Sequence, residues 1–85
     1  MLTPYKLVRV EWDPEASVWV ATSDDVPGLA TESETLEALV VKLKVMIPEL
    51  LDANHSYDDS IVDVPFELFV RRFDVASRTS ALPGS

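Results

Sequence analysis

The sequence predicts a small α/β (α+β) domain of order β-β-β-α-β, a four-stranded mixed sheet with one helix on one face. Three features carry that prediction. Short segments at both ends of the chain alternate apolar and polar residues, the period of a half-buried strand. One longer stretch, residues 33–54, repeats its apolar residues at helical spacing. That stretch lies between the third and fourth strands, so a crossover allows the last strand to run parallel to the first.

The first strand is "YKLVRVEW", with Val8, Val10 and Trp12 on one side and Leu7, Arg9 and Glu11 on the other. "DPEA" follows as a turn, in which Pro14 presets φ and Asp13 is placed to cap. "SVWVATS" is the second strand, pairing with the first as a hairpin. Val18, Val20 and Thr22 share one of its faces, and Trp19 and Ala21 share the other. The expectation is that Val18 and Val20 lie under the helix and Trp19 and Ala21 on the open face. "VPGL" then fits a type II turn, Pro27 at the first central position and Gly28 supplying the positive φ of the second. "LATE" is long enough for a short third strand.

The helix starts at Ser33 or Thr35 as N-cap, with Glu34 and Glu37 near the positive end of its dipole. Leu36, Leu39, Val40, Leu43, Met46, Ile47, Leu50 and Leu51 form its wide apolar face, and Asn54 is its stop. Pro48 lies inside it and predicts a kink. Val41, Val45 and Pro48 form a second, narrow apolar stripe that marks a candidate subunit contact. After the polar loop "NHSYDDS", the last strand places Phe66, Leu68 and Val70 on one face and Glu67, Phe69 and Arg71 on the other. Pro65 marks its beginning. One domain over 1–75 is expected, with a flexible tail over 76–85.

At 85 residues the chain is near the lower limit for a core without covalent staples, and its 47% hydrophobic content supplies one. With no cysteine, thiolate metal sites, disulfides and thiol nucleophiles are excluded. No stretch is apolar enough for a membrane helix, and no signal sequence opens the chain, so a cytoplasmic location is expected. The net charge is −8, and all of it is concentrated. Between Val10 and Val41 stand Glu11, Asp13, Glu15, Asp24, Asp25, Glu32, Glu34 and Glu37, with no Lys or Arg among them. Such a surface repels phosphate backbones and attracts basic proteins.

Catalytic signals are weak. Asp13, Asp24 and Asp25 adjoin strand ends, and a Mg²⁺ site built from them is conceivable chemistry. Their spacing matches no ligand pattern, however, and the expectation is that Asp24 and Asp25 belong to the turn and to the acidic surface. His55 stands in a polar loop without a hydroxyl or glycine-rich partner. No catalytic residue, metal or cofactor is expected. Arg71 and Arg72 occupy consecutive strand positions and point to opposite faces, so they make no single nucleic-acid site.

The segment "SDDVPGLATESETLEAL" resembles the core of the HicB family, the antitoxin half of HicA–HicB toxin–antitoxin pairs. Asp25, Val26, Pro27, Gly28, Thr35 and Glu37 match the family pattern. Ser33 replaces its usual glycine, and Ala38-Leu39 its usual Glu-Ala. The flanks "WDPEASVWVA" and "LKVMIPELL" look still more like a HicB-like subgroup of small bacterial proteins of unknown function, and the likeness covers about residues 5 to 75.

The resemblance implies a truncated RNase H-like fold without the catalytic acids of true RNase H enzymes. It implies a non-enzymatic antitoxin domain that occludes a small basic HicA-type RNA-cleaving toxin, with Glu11, Asp13, Asp24, Asp25, Glu32 and Glu34 as the partner-binding surface. Full antitoxins add a DNA-binding module; this chain ends shortly after its last strand, so no direct DNA binding is expected. The alternative is a stand-alone homo-oligomeric interaction domain, and a divergent Mg²⁺-dependent nuclease comes third. A homodimer is expected in either of the first two readings, through Trp19, Phe69 and Phe73 on the open sheet face or Val41 and Val45 on the helix.

Overall fold

The computed structural model describes residues 5–54 and 63–78. Strands β1 (Lys6–Asp13), β2 (Val18–Thr22) and β3 (Ala30–Ser33) precede helix α1 (Leu36–Ala53), and strand β4 (Phe66–Arg71) follows it. They form the predicted four-stranded mixed sheet, in the order β3-β2-β1-β4. β1 pairs antiparallel with β2 and β2 with β3, while β4 lies parallel to β1. The expected tail beyond residue 78 and the His55 loop lie outside the described residues.

The hairpin turn decides which side of β2 is buried. Asp13 Oδ1 accepts from the backbone N–H groups of Glu15 (3.0 Å) and Ala16 (3.3 Å), and Ser17 N–H donates to the Asp13 carbonyl at 2.7 Å. Ser17 closes the loop in the left-handed region, φ 56°. This loop pairs Asp13 with Val18, Trp12 with Trp19 and Val10 with Ala21. Residues opposite one another share a face, so Trp19 and Ala21 join Val8, Val10 and Trp12 on the helix side. The expectation for β2 is therefore corrected: Val18 and Val20 face outward, and Ala21 is fully buried. A one-residue change of register would have reversed this.

α1 is capped by Thr35, whose Oγ1 accepts from Ala38 N–H at 3.1 Å, which settles the N-cap in favour of Thr35 over Ser33. Ser33 instead ends β3 as a buried residue opposite Trp19. Leu39, Leu43, Ile47 and Leu51 are fully buried against Val8, Val10, Ala21, Val26 and Leu29. Each such leucine or isoleucine contributes roughly 1.5–3 kcal/mol relative to exposure. Pro48 lies inside the helix, as its sequence position requires. Asn54 caps the C-terminus, its backbone N–H donating to Leu50 O at 3.1 Å.

The "VPGL" turn has the expected form: Leu29 N–H donates to Val26 O at 3.1 Å, and Gly28 has φ 86°. Its two flanking residues, Val26 and Leu29, are both buried, so the turn is also part of the core. A Cβ on Gly28 would stand 3.6 Å from Leu50 Cδ2, an ordinary contact. Glycine is needed there for the backbone angle and not for space.

A helix about 10 Å wide covers two or three strands spaced about 4.8 Å apart, but not four. α1 packs on β2 and β3. β4 is left half covered: Phe66 and Leu68 are partly buried against the core, but Val70, the partner of fully buried Val10, is 43% exposed.

Candidate interaction surface

The acids of the proposed partner-binding surface do not lie together. Asp24 and Asp25 stand beyond the end of β2, beside the start of β1. Asp25 Oδ2 accepts from Leu7 N–H at 2.8 Å, and Ser23 Oγ donates to Leu7 O at 2.6 Å. Asp25 N–H donates back to Ser23 Oγ at 3.0 Å. Two side chains thus continue the ladder that β2 would have supplied, and they satisfy the first unpaired groups of β1. Asp24 forms an exposed ion pair with Arg9. Both acids are engaged structurally, the role the sequence assigns to the turn.

Asp13 and Glu34 lie at the other end of β2. Because Trp19 pairs with Ser33, the hairpin loop and the β3–α1 corner meet there. A groove of about 460 Å³ at the β3–α1 corner is lined by Val18, Glu32, Glu34, Thr35 and Lys42 among others. Asp13 is held by its own turn, as above. Residues 18 to 22 separate the two acidic ends by roughly 13 Å at about 3.3 Å per residue. Between them, on the outer face, Glu11 and Glu32 flank Val20 across the register. Arg71 stands beside Glu11, and Arg9 beside Phe69. The outer face is thus mixed in charge, while Glu15 stands in the hairpin turn and Glu37 in the first turn of α1.

The oligomer residues are also divided. Trp19 is on the helix side, where its ring lies 5.0 Å from that of Trp12. Arg72 places its guanidinium 4.6 Å from the Trp12 centroid and 5.7 Å from that of Trp19, and its Nε donates to Asp74 Oδ2 at 2.9 Å. This stack fastens the chain after β4 to the sheet. Neither the tryptophan pairing nor the arginine above it was anticipated; the hairpin loop length was the one signal that could have paired Trp12 with Trp19. Phe69 remains on the outer face at 64% exposure, and Phe73, just past β4, is 86% exposed. Val41 and Val45 are exposed on α1, as expected from their spacing.

Among the described residues, no group of three or more His, Cys, Asp or Glu side chains is placed to hold a metal ion. No helix among them is long and apolar enough to cross a membrane. What the geometry offers is surface chemistry, most of it around β4.

The model of a domain of unknown function, DUF1902, matches residues 5–77. This chain belongs to the DUF1902 family. It is also similar to the crystal structure of hypothetical protein TTHA1013 from the extremely thermophilic bacterium Thermus thermophilus. Identity is 46% and the TM-score is 0.62, covering 87% of this chain and 99% of that one. No curated protein matches the chain. The DUF1902 match spans all four strands and the helix, so the family domain and the folded unit coincide.

Proposed function

We propose that this DUF1902 domain is a HicB-like antitoxin that neutralises a small basic HicA-type RNA-cleaving toxin by covering its RNA-binding surface. In this reading it has a truncated RNase H-like fold, acts in the cytoplasm, has no catalytic activity and does not bind DNA directly. The observation that carries the reading is the acidic end of the sheet. Asp13 and Glu34 lie there, with Glu15 in the adjoining hairpin turn and Glu37 in the first turn of α1, in a segment whose sequence from Val10 to Val41 holds eight acids and no lysine or arginine. Such a concentration steers a basic partner and competes with RNA for it. The sequence likeness to HicB over Asp25–Gly28 and Thr35–Glu37 supports the same reading.

The test is an RNA-cleavage assay with a HicA-type toxin. Equimolar domain is expected to suppress cleavage, and Glu15→Lys with Glu34→Lys is expected to weaken suppression at least about ten-fold, since opposed charges become like ones. Unchanged cleavage in the presence of excess wild-type domain would overturn the reading. A second reading, a homo-oligomeric interaction domain, is favoured by the exposure of Phe69, Val70 and Phe73 around β4.

A further inference from the structure

The hydrogen-bonding directions of the sheet follow from one bond. Lys6 N–H donates to Pro65 O at 3.0 Å, so the even residues of β1 turn their backbone groups to β4 and the odd ones to β2. In β4 the odd residues Glu67, Phe69 and Arg71 therefore face β1. The backbone groups of Phe66, Leu68 and Val70 point to the free edge, and no described strand pairs with them. Their side chains lie on the helix side, where Val70 is partly exposed, while Phe69 is exposed on the outer side. Among the described residues β4 is thus an edge strand open along its backbone and on parts of both faces, the arrangement that recruits another strand.

We infer that the occupant is β4 of a second copy, paired antiparallel about a two-fold axis at Phe69. The spacing of charge along the strand selects this occupant and this register. Glu67 and Arg71 stand two residues either side of Phe69. An antiparallel pairing centred on Phe69 sets Glu67 of each copy opposite Arg71 of the other, on the outer face, with the two Phe69 rings side by side between them. The free backbone groups fall into place at the same time. Leu68 pairs with Val70 of the second copy and Val70 with its Leu68, each pair exchanging both hydrogen bonds and burying the exposed Val70. Extended by two residues, the register brings Phe73 of one copy to Pro65 of the other. There Tyr5, Pro65, Phe66 and Glu67 line an open cleft of about 440 Å³. The product is one continuous sheet, β3-β2-β1-β4 joined to its symmetry mate, isologous as a two-fold requires. This names the surface of the self-association reading, and toxin binding at the hairpin end is independent of it.

Light scattering over a concentration series tests the inference. The wild type is expected near twice the 9.4 kDa chain mass at micromolar concentration. Glu67→Arg or Arg71→Glu alone puts like charges opposite each other twice per dimer, and each is expected to raise the dissociation constant about ten-fold. The combined Glu67→Arg and Arg71→Glu variant restores the opposition and is expected within about three-fold of wild type. Arg71 also neighbours Glu11 of its own chain, so thermal stability is followed alongside and the concentration dependence of mass decides. Phe69→Cys, in a chain without cysteine, is expected to oxidise to a covalent dimer, because directly opposed residues of this kind have Cα atoms about 4.5 Å apart. Val20→Cys, on the same face of β2, is expected to remain uncrosslinked. A dimer in which the double reversal does no better than either single one overturns the β4 pairing and leaves self-association through another surface. A monomer at all concentrations overturns both.

Discussion

The two edges of this sheet are built differently. β3 is only four residues long, lies beneath α1, and its outward carbonyl at Glu32 accepts a hydrogen bond from Lys42 Nζ. β4 is six residues long, lies beyond the helix, and keeps its outward groups unpaired among the described residues. A short, roofed and side-chain-capped edge resists strand addition; a longer uncovered one invites it. The difference teaches that a single helix on four strands forces a choice of which edge to protect. Here the crossover begins directly after β3, so the helix starts over that edge and the opposite one is left open.

The largest expected effect uses one row of the sheet to break or sharpen that comparison. Val10 and Val70 are register partners on the same face, yet Val10 is 0% exposed and Val70 is 43%. Val10→Ala leaves a cavity beneath α1 and is expected to cost about 2 kcal/mol. Val70→Ala is expected to cost less than about 1 kcal/mol in the monomer, because water already reaches that side chain. Urea unfolding at concentrations where the chain is monomeric measures both. Equal losses would mean that the helix side of β4 is as well covered as that of β1, and the contrast between edges would fail.

That contrast was only half legible in the sequence. The elements, their order and the helix face followed from periodicity, because Leu39, Leu43 and Ile47 repeat at helical spacing among charged residues, and the crossover between the third and fourth strands allowed the parallel pairing. The inner face of β2 did not. Val18 and Val20 on one side and Trp19 and Ala21 on the other are apolar sets of similar weight, so alternation finds the strand without choosing its face. The choice lies in the hairpin loop, where Asp13 caps the turn and Ser17 takes a left-handed φ. A serine there carries no marker as clear as the glycine that announces the next turn. The partner-binding acids were misplaced for a related reason. Nearness in sequence suggested a single surface, but the antiparallel meander sends Asp13 and Asp24 to opposite ends of β2.

A middle-sized effect is expected at the "VPGL" turn, which joins the protected half of the sheet to the helix C-terminus. Asn54 Nδ2 donates to Pro27 O at 3.4 Å and to Leu50 O at 2.7 Å, so turn and helix end are tied together. Gly28→Ala meets no steric obstacle at 3.6 Å but must hold φ 86°. The expected loss is about 1–2 kcal/mol, the ordinary cost of a left-handed residue with a Cβ. Thermal unfolding would measure it. A neutral substitution would mean that the turn relaxes to another form, which Val26 and Leu29, both buried, oppose.

The smallest effect is expected where the sequence most invited a catalytic reading. Asp24→Asn removes an exposed ion pair with Arg9, and such pairs contribute at most about 1 kcal/mol. Asp25→Asn keeps a side-chain oxygen able to accept from Leu7 N–H, so the cap on β1 survives with a weaker, uncharged acceptor. The double variant is therefore expected to fold normally and to unfold within about 1 kcal/mol of wild type, because the exposed pair contributes at most about that much and the cap on β1 is kept. If these two acids are only ladder caps and surface charge, the variant also shows no change in heat on titration with Mg²⁺ or Mn²⁺. Tight stoichiometric metal binding by the wild type, lost in the double variant, would reverse that assignment. It would place a functional centre beside the start of β1 on its β2 side, because Leu7 turns its backbone groups there and not to β4.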